Sequence, residues 1–139
     1  MSKQEGQDWV KRVLKETPRL AQLMFQLKTA PASQYNTTGR YPDWIGDVAY
    51  DRFEWTKVSD SSYRADAVVD VSPGPSLPSD HANPSRVRVE VSVNFVVMVT
   101  PPPIIFFPEG KSLEPTRWTL HRVDGRSVEE SGSFMDYRG

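Results

Sequence analysis

A ladder of valines constrains this chain more than any other feature. Between Arg86 and Thr100, Val87, Val89, Val91, Val93, Phe95, Val97 and Val99 take every second position without a break. Successive side chains of an extended chain point to opposite faces, so this run calls for a strand with one buried side. Arg86, Arg88, Glu90, Ser92 and Asn94 fall on the other side and make the first half two-faced. Val96 and Met98 then join that other side, leaving the second half apolar on both faces. Such a half belongs to a covered central strand or to a subunit interface. Fully extended, the run would span about 50 Å, which predicts a bend or a bulge along it.

The neighbouring segments supply partners for that strand. Residues 44–53 fit a helical turn and a strand about equally, and a strand from 48 or 51 to Val58 is expected. Ser59-Asp60-Ser61-Ser62 is turn chemistry. After it, Tyr63, Ala65, Ala67, Val69 and Val71 share one face while Arg64, Asp66 and Asp70 share the other, which predicts an antiparallel hairpin. Residues 72–85 contain Pro73, Pro75, Pro78 and Pro84 with little to bury, the pattern of an exposed, mobile loop. Pro101, Pro102 and Pro103 end the valine strand by removing ladder donors. A last hairpin is expected over 116–123 and 126–131, because Asp124-Gly125 suits a turn with two positive φ angles. Trp118 and Leu120 would face its core, with Arg117, Thr119 and His121 outside.

The front of the chain has a different period. Trp9, Val10, Val13, Leu14, Leu20, Ala21, Leu23, Met24 and Leu27 recur at three- and four-residue steps, the stripe of an amphipathic helix. Pro18 must kink or restart it, with Thr17 as cap and Pro18 at the first helical position. Ser2 and Glu5 have capping-box spacing. One domain results: helical over 7–28, a connector over 29–47, an antiparallel sheet over 48–131 and a tail over 132–139. The expected class is α+β, a bent or broken N-terminal helix packed on a curved antiparallel sheet of about four to five strands. A β-sandwich with the helix at one end is the second architecture.

Composition narrows the functions. With 17 Lys+Arg against 18 Asp+Glu the net charge is −1, so no nucleic-acid partner is expected. No cysteine is present, which removes thiol nucleophiles, disulfides and cysteine metal sites while leaving the compartment open. No membrane span is expected, and residues 1–6 lack the pattern of a signal peptide. His81 and His121 have no metal-ligand spacing. Phosphate loops and nucleophile elbows do not occur. No catalytic, cofactor or metal residue is therefore assigned, and the balance leans away from an enzyme. The mixed charges of Arg64, Asp66, Asp70, Arg88, Glu90, Arg117 and His121 read as a solvated sheet face with cross-strand ion pairs.

Ile104, Ile105, Phe106 and Phe107, held between prolines, stand out. Burying each is worth about 1.5–3 kcal/mol, so they either plug the open end of the sheet or dock on a partner.

The order of elements, carried by the Trp9 to Leu27 stripe, the valines 87–99 and Trp118 to Leu120 beside Asp124-Gly125, resembles the NTF2-like and cystatin-like folds. The chain has less helix before the sheet than an NTF2-like domain usually offers, which favours the shallower cystatin-like wrap. The expected function is a non-enzymatic protein-binding or assembly domain that self-associates. Its contact residues would be Val96, Met98, Ile104, Ile105, Phe106 and Phe107, its partner another protein or a second copy. The alternative, implied by the NTF2-like resemblance, is a small-molecule-binding or enzymatic domain with a pocket between helix and sheet, lined by Trp9, Tyr50, Trp55, Tyr63 and Trp118. A peripheral place in the cell envelope is compatible with the composition.

Overall fold

The computed structural model describes residues 2–26, 45–74, 86–100 and 110–134. The leading stripe folds as two helices, α1 (Lys3–Glu16) and α2 (Pro18–Met24). In α1 the Ser2 hydroxyl accepts the Glu5 N–H while the Glu5 carboxylate accepts the Ser2 N–H, so the expected capping box forms. The break comes at Thr17, with Pro18 opening α2, although the Thr17 side chain makes no capping bond. Helix therefore starts four residues earlier than the expected 7–28, at Lys3, and α2 ends at Met24. Phe25, absent from the expected stripe, is fully buried just past that end.

Five strands follow: β1 (Ile45–Ser59), β2 (Ser62–Pro73), β3 (Val87–Thr100), β4 (Gly110–Val123) and β5 (Arg126–Ser133). They form one antiparallel sheet in the order β1-β2-β3-β4-β5. This is an α+β arrangement with a single sheet, which replaces the sandwich alternative. The expected connector over 29–47 is shortened, because Ile45, Gly46 and Asp47 already belong to β1. β2 takes Ser72 and Pro73 from the expected loop, and Ser72 Oγ accepts the Asp47 N–H at 2.7 Å to hold β1 there. The rest of that loop, 75–85 with Asp80 and His81, lies outside the described residues, as do Leu27 and residues 101–109.

β4 starts at Gly110, six residues before the expected 116, and contains Pro115. The proline is tolerated because Thr116 is an extra residue there, Asn94 pairing with Arg117 and Phe95 with Pro115. The Thr116 hydroxyl donates to the Asn94 carbonyl at 3.2 Å. A second register shift falls between Glu90 and Val91, so the valine strand is irregular at two points along its pairing with β4. Asp124 and Gly125 both have positive φ, 50° and 82°, the geometry their sequence calls for.

The core lies between the helices and one face of the sheet. Val10, Val13, Leu14, Leu20, Ala21 and Met24 meet Ala65, Ala67, Val69 and Val71 of β2 and Val87, Val89, Val91, Val93 and Phe95 of β3. Trp118, Leu120 and Val123 of β4 complete it. The aromatic candidates for a pocket wall pack on this core: Trp118 belongs to it, and Trp9, Tyr50, Trp55 and Tyr63 lie against it. Arg19 of α2 and Glu130 of β5 tie the helices to the far edge through a paired ion contact at 2.8 Å.

Candidate functional site

The face of the sheet away from the helices gathers the polar side chains. Across it Arg64 holds Asp66 at 3.0 Å, Arg122 lies 3.8 Å from Glu90, and Arg88 reaches Asp51 and Asp70. These pairs are largely exposed, so each contributes a few tenths to about 1 kcal/mol. Reading this face as solvated and ion-paired is therefore correct for most of it.

One cluster goes beyond that reading. Ser92, at the middle of β3, is 5% exposed and buried under its neighbours. Its hydroxyl donates to Asp66 Oδ1 at 2.6 Å and lies 2.8 Å from His121 Nε2. His121 Nδ1 in turn faces Glu129 Oε2 at 3.4 Å, and Arg64 Nη2 donates to Ser92 Oγ at 3.4 Å. A hydroxyl has one proton, and the short contact to an acceptor-only carboxylate takes it, so His121 Nε2 is the donor toward Ser92. The chain of contacts thus runs Asp66, Ser92, His121, Glu129 and joins β2, β3, β4 and β5.

Serine, histidine and a carboxylate in line invite comparison with a nucleophilic triad, and the geometry argues against it. A nucleophile must be reachable and must give its proton to the imidazole. Ser92 is buried and gives its proton to Asp66. β3 is paired on both flanks at Ser92, with Asp66 and with Thr119, so its backbone groups are committed to the ladders rather than converged on an oxyanion. The cluster fastens strands together. Beside it is an open concavity of about 200 Å3, lined by Arg52, Glu54, Asp66, Glu90, Ser92 and His121. Among the described residues no cluster of three or more His, Asp or Glu side chains could hold a metal ion. Sequence reasoning places Asp66, Ser92 and His121 on this face but misses Glu129, whose φ of 47° sits at an irregularity in the β4–β5 pairing.

On the helix side, the Tyr50 hydroxyl donates to the Gln7 carbonyl at 2.5 Å. Burial pushes the Tyr50 phenol above its ordinary range, and the Asp8 carboxylate adds to the shift. Tyr50 therefore links β1 to α1 as a neutral donor.

The expected contact residues separate. Val96 and Met98 lie at the far end of β3, Val96 opposite Ser62 and Glu114 and Met98 opposite Ser112. Val96 is half-buried and Met98 is 47% exposed, with Val99 at 50% and Val58 at 63%. The other four, Ile104, Ile105, Phe106 and Phe107, lie outside the described residues. No helix among the described residues is long and apolar enough to cross a membrane. Comparison with family models, curated proteins and solved structures yields no match.

Proposed function

We propose that this chain is a non-enzymatic protein-binding or assembly domain that self-associates through the far end of its sheet. One observation carries the reading. Val58, Met98 and Val99, the exposed large hydrophobics among the described residues, all lie at the end where β1 turns into β2 and β3 runs out. Scattered apolar residues on a surface need no explanation, but apolar side chains gathered at one end point to a contact. Ile104, Ile105, Phe106 and Phe107, which follow β3 in sequence after three prolines and lie outside the described residues, are retained as expected contact residues of this reading. Two helices followed by an antiparallel meander with register shifts support a curved, cystatin-like or NTF2-like wrap. Packing of Trp9, Tyr50, Trp55, Tyr63 and Trp118 on the core favours the binding reading over a ligand pocket between helix and sheet.

Sedimentation velocity across micromolar concentrations tests this. The wild-type chain should sediment faster as concentration rises, and Met98→Glu should slow it at every concentration while leaving its circular dichroism unchanged. A wild type that stays monomeric throughout, or a variant that associates as well as wild type, contradicts it.

A further inference from the structure

The sheet has two edges, and they are built differently. β5 is 8 residues long and carries Glu129 at positive φ beside Glu130, devices that discourage further pairing. β1 is 15 residues long and pairs only with β2 among the described strands. Among the described residues its outer flank therefore presents a row of backbone donors and acceptors.

Two exposed side chains on that strand have no partner among the described residues. Arg52 and Glu54 share the open face of the sheet, two residues apart, opposite Val68 and Asp66 of β2. Among the described residues neither side chain has a hydrogen bond or ion pair, a condition shared on this face by Arg117, whereas Arg64, Arg88 and Arg122 are engaged. Glu54 stands beside Asp66 across the strands, a like-charge pair that an external cation would relieve.

We propose that two copies of this chain pair edge to edge through β1, antiparallel about a two-fold axis at Phe53. The proposal rests on the reading of the chain as an assembly domain, but it uses a different surface from the Met98 end. A two-fold contact repeats every interaction twice. With the axis at Phe53, Arg52 of each copy faces Glu54 of the other, and both charges are satisfied together. Centring on Glu54 would set the two Glu54 carboxylates against each other, and centring on Trp55 would set Arg52 against Val58. Directly opposed residues must share a face, so among these centres Phe53 alone joins Arg52 to Glu54. β1 has one residue more than β2 at Asp51, which interrupts the outward ladder just beyond the paired triplet. The contact is accordingly short and reversible.

Equilibrium sedimentation of the full chain in the Met98→Glu background isolates this contact from the other end of the sheet. A residual dimer is expected there, weakened by added salt. Arg52→Glu and Glu54→Arg, which each turn two attractive pairs into two repulsive ones, should each weaken it by about tenfold or more. The combined Arg52→Glu/Glu54→Arg chain, with the pairs reversed in sign, should regain the dimer. Both side chains are exposed, and circular dichroism confirms that the variants are folded. Single variants that dimerise normally, or a double variant that fails to recover, overturn the edge pairing. Absence of any dimer in the Met98→Glu background, with association intact in wild type, overturns it too and leaves the assembly reading standing. A monomeric wild type removes both.

Discussion

The indole of Trp55 fills the space in which Gly6 would carry a side chain, since a Cβ there would lie 2.6 Å from its ring. Across the sheet, Trp118 does the same over Gly132, where a Cβ would fall 2.5 Å from the indole. Both glycines are therefore contact surfaces for aromatic rings. In the sequence Gly6 reads only as a helix weakener, because glycine in a helix costs about 1 kcal/mol relative to alanine and nothing local reveals the ring above it. Gly6→Ala should thus destabilise the fold despite the better helix propensity, by about 1–3 kcal/mol in urea denaturation. A stabilised variant would show that Trp55 does not pack there. Tyr50 gives a pH test. Its folded pKa is raised, so the unfolded chain releases the phenolic proton first as pH climbs. This contribution to stability is full below about pH 10 and is lost above it, as pH passes toward the folded value. Tyr50→Phe should cost about 1 kcal/mol at neutral pH, for the hydrogen bond to Gln7, and flatten the alkaline decline. Equal alkaline slopes in the two proteins would assign that decline elsewhere.

Among the elements, the regular ones are legible in the sequence and the irregular ones are not. Val87 to Phe95 alternates cleanly because one face is buried along its whole first half, and a one-residue slip would expose every valine. β1 is ambiguous for a physical reason. Its core-facing residues are Val48 and Tyr50, then Phe53 and Trp55, and the parity changes because Asp51 is an extra residue against β2. The three-residue step from Tyr50 to Phe53 that this creates mimics a helical one. The same happens in β4, where Trp118 and Leu120 face the core and Val123 follows after a shift near His121. Pro115 hides the first part of β4, since a proline in an interior strand normally argues against one. Turn chemistry is easier to read: Gly125 has a φ of 82°, and a Cβ added to it would meet nothing within 4 Å, so only conformation restricts the position. Gly125→Ala should cost about 1 kcal/mol in thermal or urea unfolding through the backbone alone. An unchanged midpoint would mean that the turn relaxes to another type.

For the whole molecule, the ladder divides two environments. Its valine side is closed by the helices, and its other side carries Ser92 and the ion pairs until the strand runs out to Met98. The Ser92 cluster is only partly legible in the sequence, because it needs Glu129 brought beside His121 by an irregular pairing. Ser92→Ala leaves the Asp66 and His121 groups without their shared hydroxyl and should cost about 1–3 kcal/mol; a neutral effect would mean that water replaces the hydroxyl and the cluster fastens nothing. The exposed end is where structure passes into function, and hydrogen exchange reads it residue by residue. The decisive experiment is exchange at two concentrations, one below and one above association. Amides of 58–62 and 96–99 should gain protection at the higher concentration, while those of 89–93 are strongly protected at both. Protection at that end that does not change with concentration, in a protein that does associate, would contradict the assignment of the contact to it.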